Sequence, residues 1–116
     1  MPYIHSIVSV KMSQDQKDAV KSKLGQAINE MPGKSEESLM IAMQDDQSMY
    51  FRGKSKEKAA IVELKMLYTQ TLEAKEDFTK KVCDIYSQEL GIPGEEIFVA
   101  FTETEKGNWG WNGKLV

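Results

Sequence analysis

One cysteine, one histidine, three prolines and no long apolar run set the first limits on this 116-residue chain. Cys83 alone excludes an internal disulfide and supplies no metal-site spacing, so neither a metal nor a cofactor is expected. Positive charge is also short, with 15 Lys and Arg against 18 Asp and Glu, a net charge of -3 and a pI near 5.2. Without a basic run, nucleic acid is an unexpected partner. No apolar stretch approaches the roughly 20 residues that span a bilayer, so no membrane role is expected. The first residues, Met-Pro-Tyr-Ile-His-Ser-Ile-Val, lack the basic segment and apolar block of a signal peptide, which makes the cytoplasm the expected compartment. What is present is ordinary for a globular protein, at 41% hydrophobic and 28% charged residues. One domain over residues 1–116 is expected, burying roughly two-thirds of its unfolded surface.

Of the three prolines, Pro2 is chemically the most suggestive. A small second residue generally permits removal of the initiator Met, which would leave a free secondary amine on a rigid ring. Burial and nearby positive charge both disfavour the protonated form and lower such a pKa. An amine near neutral pH can act as a general base or a nucleophile. The bland alternative is that Pro2 is only a tolerated starting residue.

The remaining pattern repeats. Residues 3–10, rich in β-branched and aromatic side chains, predict a strand. Ser13 and Gln16 form a capping-box signature for a helix from about residue 14, with Val20, Leu24, Ala27, Ile28 and Met31 on one face, ended by Pro32-Gly33. Leu39, Ile41 and Met43 alternate as on a second strand. The second half follows the same plan. Ala59–Tyr68 predicts a strand, residues 72–90 a helix with Phe78, Val82, Ile85 and Tyr86 inward, and Ile97–Phe101 another strand. The pseudo-repeat halves run 1–56 and 57–116. Gln47–Phe51 could add a short strand, and the Gly- and Asn-rich tail around Trp109 and Trp111 predicts a turn and short strand.

Two βαβ units side by side predict an α+β fold, a four-stranded parallel or mixed sheet with both helices on one face. The other face is then bare. Ile4, Val8, Met40 and Phe101 are assigned to it here, which implies burial against further subunits. The tail indoles likewise call for cover from a neighbour.

Pro2, the Pro32-Gly33-Lys34 turn, Phe51-x-Gly53 and Gly110-Trp111-Asn112, in this order on a duplicated βαβ plan, resemble the macrophage migration inhibitory factor group of the tautomerase superfamily. The resemblance runs nearly end to end. It implies a homotrimer with sites at the subunit interfaces, and keto–enol tautomerisation of phenylpyruvate-like α-keto acids. Carried onto this chain, it implies Pro2 as general base, Lys34 as binder of the substrate carboxylate, Met66 with its backbone against the substrate, and Tyr3, Trp109 and Trp111 as apolar walls.

Two positions depart from the animal pattern. Phe98 stands where a pocket tyrosine is expected from the adjacent subunit, and Ala100 where an asparagine is expected. Losing one hydrogen bond to a developing enolate costs on the order of 10²-fold in rate. Two other readings therefore stay open: a non-catalytic binding or signalling member of the fold, and a dehalogenase or hydratase in which Glu103 activates water. A solvated Glu103 is the bland reading. His5 reads as structural or solvent-facing, Cys83 as a small packing residue, and the methionines as fillers of core and interface gaps.

Overall fold

Strand β1 (Pro2–Val8) turns Pro2, Ile4, Ser6 and Val8 inward and leaves the residues between them half-buried. Helix α1 (Gln14–Asn29) follows, with Ser13 as N-cap. The Ser13 hydroxyl accepts from the Gln16 amide and the Gln16 side chain returns to the Ser13 backbone, the reciprocal capping box the sequence predicts. Strand β2 (Met40–Gln44), hairpin strands β3 (Tyr50–Phe51) and β4 (Lys54–Ser55), and strand β5 (Ala60–Leu67) lead to helix α2 (Leu72–Leu90). Gly91 ends α2 at φ +67°, a left-handed cap that costs a residue without Cβ nothing. Strand β6 (Ile97–Thr104) and a terminal hairpin of β7 (Gly110–Trp111) and β8 (Lys114–Leu115) complete the chain in the computed structural model, which describes residues 1–116.

The four long strands lie in the order β2-β1-β5-β6. Each βαβ unit pairs its own strands in parallel, and the two units meet antiparallel at β1 and β5, so the sheet is mixed. Both helices pack on one face, over a core of 19 buried side chains that includes Val20, Leu24, Ile28, Leu64, Phe78 and Val82. Burying such apolar surface is the main stabilising term, at roughly 25 cal/mol per Å².

The faces are the reverse of the sequence expectation for three of its four named residues. Ile4 and Val8 lie in the core beneath the helices, and Phe101 meets Phe78 of α2 edge-on at a centroid distance of 6.0 Å. Only Met40 lies on the open face. That face carries a mixture, with Tyr3, His5, Ile7, Glu63, Lys65 and Phe98 in register across the strands. Alternation separates two sets of side chains; the path of the helices decides which set is covered.

Ser6 is the one buried polar side chain, and its hydroxyl shares a 2.5 Å hydrogen bond with the Tyr86 phenol. Burial pushes the Tyr86 pKa up to about 12, opposed in part by the Ser6 contact. Tyr86→Phe should leave the Ser6 hydroxyl buried and unpartnered, lowering unfolding free energy by about 1–3 kcal/mol in urea titrations. Adding Ser6→Ala should restore most of that loss, because both polar partners are then gone.

Candidate active site

Pro2 opens β1 at the sheet's central seam, where it pairs across to Met66 of β5. Met66 is fully buried, and its carbonyl accepts from the Thr104 hydroxyl of β6 at 3.1 Å. Carried one residue further, the same antiparallel register sets Met1 opposite Leu67. The Leu67 carbonyl accepts from the Lys34 ammonium at 2.7 Å, and so three separate segments converge at one end of the sheet.

Lys34 reaches this point because α1 ends at Asn29, earlier than the Pro32-Gly33 stop the sequence predicts, and a short turn carries the chain on to it. Gly33 takes φ +74°, reversing the chain after Pro32, and the Lys34 amide closes the turn on the Met31 carbonyl at 3.1 Å. Burial holds the Lys34 ammonium below the ordinary lysine value of 10.5. The Met1 amine, which terminates the full chain, is held below 8.0, first by burial and then by the Lys34 charge. None of the eight salt bridges in the chain includes Lys34. The result is a half-buried cation with a neutral carbonyl partner, beside an amine it makes easier to deprotonate.

The β5–α2 connection frames the same corner. Tyr68 adopts φ +71° and its amide donates to the Thr104 carbonyl at 2.7 Å. The Gln70 amide donates to Glu103 Oε2 at 2.7 Å, and the Gln70 side chain donates to the Pro32 carbonyl at 2.8 Å. Glu103 Oε1 accepts from Lys75 at 3.1 Å. The Gln70 amide, foremost, and Lys75 hold the Glu103 carboxyl below its usual range. Glu103 is thus an ionised anchor with both oxygens engaged, a poor arrangement for activating water.

The structure therefore brings Pro2, Lys34 and Met66 together. Tyr3, next to Pro2, has the opposite strand parity and stacks on His5 across the open face at a centroid distance of 6.1 Å. Phe98 lies elsewhere, in register with Ile61, five residues along β5 from Met66. Its ring is 57% exposed and meets Phe51 edge-on at 5.1 Å. An apolar cavity of about 210 Å³ opens there, lined by Tyr50, Phe51, Ile61 and Phe98 among others, with Glu96 as its one carboxylate. This cavity is remote from Pro2 within the chain. Trp109 is half-buried, whereas Trp111, on the terminal hairpin, is 62% exposed. Leu67, Gln70 and Glu103 as supports of Lys34 escape sequence reasoning: any residue supplies a carbonyl, and the Gln70 and Glu103 bonds join strands distant in sequence.

A family model described as macrophage migration inhibitory factor (MIF) matches residues 1–116. A macrophage migration inhibitory factor from Xenopus laevis is 29% identical over 96 residues, covering 83% of either chain. Among solved structures, MIF2 of Leishmania major is similar at TM-score 0.90 and 28% identity, over 100% of this chain and 97% of that one. A fused 4-OT described as a symmetric trimer shares the fold at TM-score 0.87 and 19% identity, over 97% of this chain and 94% of that one.

Proposed function

The chain belongs to the macrophage migration inhibitory factor family of the tautomerase superfamily, and from that premise we propose that it is a keto–enol tautomerase of phenylpyruvate-like α-keto acids. The observation that carries this reading is the Lys34 ammonium, half-buried without a carboxylate partner and bonded to the Leu67 carbonyl at 2.7 Å, at the end of the sheet where β1 begins. A cation so placed fits a substrate carboxylate, and the amine beside it fits a base. With Met1 removed, the free amine would be that of Pro2, one residue along β1 and opposite Met66.

In the reaction, the neutral Pro2 nitrogen takes a proton from C3 of the keto acid, the C–H pair forms the C2=C3 bond, the carbonyl π pair moves onto oxygen as an enolate, and return of the proton from Pro2 to that oxygen gives the enol. The reverse sequence delivers the proton to C3 and forms the ketone. Lys34 holds the carboxylate so that C3 stays within reach of nitrogen, the positioning that makes such a step effectively intramolecular. Phe98 and Ala100 supply no side-chain donor to the enolate oxygen, so a modest rate is expected.

A homotrimer with sites at the subunit interfaces completes the reading. Within one chain the Phe98 cavity is remote from Pro2, and exposed Met40, Phe98, Trp111 and Leu115 leave apolar surface for a neighbour to cover. The fused 4-OT relative is described as a trimer. In such an assembly Phe98, Trp109 and Trp111 would wall a neighbouring site. The missing donors at Phe98 and Ala100 favour the second reading, a binding protein of the same fold without catalysis.

The test is ultraviolet measurement of phenylpyruvate enol ketonisation by protein whose amino terminus has been established by mass spectrometry. Ketonisation well above the buffer rate is expected from protein beginning at Pro2. A rate equal to buffer on phenylpyruvate and related keto acids would leave the binding-protein reading in its place.

A further inference from the structure

Lys34 lies just after a glycine turn, on a side chain with four rotatable bonds, and no carboxylate pairs with it. Left to itself, such a cation would sample many positions. Its acceptor, the Leu67 carbonyl, belongs to the end of β5, where the chain enters a left-handed turn at Tyr68. The Leu67 side of the contact is fixed in the β5–β6 ladder opposite Thr104, whereas the Lys34 side is irregular backbone. Something else must hold them in mutual register.

One residue links the loop after Leu67 to the turn before Lys34. Gln70 follows the Tyr68 turn, and its side chain donates to the carbonyl of Pro32, two residues before Lys34. Its own amide is fixed to β6 through Glu103 Oε2, and Glu103 is neutralised by Lys75 from α2. The chain of contacts runs from α2 and β6 through Glu103 to Gln70, and from Gln70 to the turn that carries Lys34. Lys75 also keeps the Glu103 charge engaged, which leaves Lys34 free for an external anion.

We infer that Gln70, seated by Glu103, is a positioning residue for Lys34: it locks the Pro32–Lys34 turn to the β5–α2 loop so that the ammonium stands at the Leu67 carbonyl beside the amino terminus. This inference rests on the proposed role of Lys34 for its consequence in catalysis, and on contacts within the chain for its structural part. Gln70 touches no reacting atom. Its effect passes through Lys34 alone, which separates it from a residue that only stabilises the loop.

The experiment has two arms. In the first, the folded protein is treated briefly with an acylating reagent, and labelling of Lys34 is measured by peptide mass spectrometry against exposed Lys80 as internal reference. Gln70→Leu should raise relative labelling of Lys34 by about threefold to tenfold, the range for loss of one hydrogen bond that held the turn. Glu103→Gln, which keeps an acceptor oxygen for the Gln70 amide but disrupts the Lys75 pair, should give a smaller rise in the same direction.

In the second arm, Gln70→Leu should raise KM for phenylpyruvate with little change in kcat, and that increase should vanish in a Lys34→Ala background, because residues acting through one another are non-additive. Unchanged Lys34 labelling with an unchanged KM would overturn the inference, whatever happens to thermal stability. So would a KM effect that persists in full without Lys34. If wild-type protein ketonises no enol but Gln70→Leu still frees Lys34, the functional proposal fails and the positioning inference stands. If the enzyme is active and Gln70→Leu alters neither labelling nor KM, the reverse holds.

Discussion

Placing one alanine between Met1 and Pro2 should lower kcat/KM for phenylpyruvate ketonisation by about 10²–10⁴-fold, the usual contribution of a general base. After loss of Met1 the chain would begin Ala-Pro, and Pro2 nitrogen would be a planar amide with no basic lone pair. Pro2 keeps its ring, its burial and its pairing with Met66, so folding should change little. Equal melting temperatures for the two proteins would check this. Pro2→Ala is the milder companion: it leaves a primary amine near the same place without the rigid ring, and an intermediate loss is expected. Full activity of the extended chain would eliminate Pro2 as the base.

Lys34→Ala should raise KM for carboxylate substrates by about 10–100-fold, given that a hydrogen bond to a charged group contributes about 1.5–3 kcal/mol and each 1.4 kcal/mol is tenfold. An uncharged α-keto amide should show little dependence on Lys34, which separates carboxylate binding from general damage to the site. The same variant should also move the pH profile. The terminal amine acts as a base when neutral, so kcat/KM rises as pH climbs through its pKa. At the Met1 amine the Lys34 charge is the second cause of a lowered pKa, after burial, and the same charge is expected to act on the Pro2 amine one residue along. Removing it should shift the rising limb to higher pH. A limb that stays in place, or moves to lower pH, would separate Lys34 from the base electrostatically.

Much of the scaffold follows from local rules. The helix face Val20, Leu24, Ala27, Ile28 and Met31 is buried as its spacing requires, the Ser13–Gln16 cap forms, and Gly91 ends α2 where a left-handed residue is needed. The family model matches residues 1–116, the full-length resemblance that Pro2, the Pro32-Gly33-Lys34 turn and the Gly-Trp-Asn tail suggest. The error lay in orientation. Ile4, Val8 and Phe101 were assigned to the bare face, yet they pack beneath the helices. Both parities of β1 contain large apolar residues, Ile4 and Val8 on one and Tyr3 and Ile7 on the other, so hydrophobicity gives no sign of which is covered.

By itself the sequence determines the elements, their repetition and the residues able to carry charge and basicity, because hydrophobic period, capping and turn chemistry act over a few residues. The tertiary structure alone decides which sheet face is open, that Lys34 meets the Leu67 carbonyl beside the amino terminus, and that Glu103 anchors a loop with both oxygens occupied. Those contacts join positions 28 to 33 residues apart. No local rule reaches across that distance; the crossover of helices and the antiparallel meeting of β1 and β5 set it.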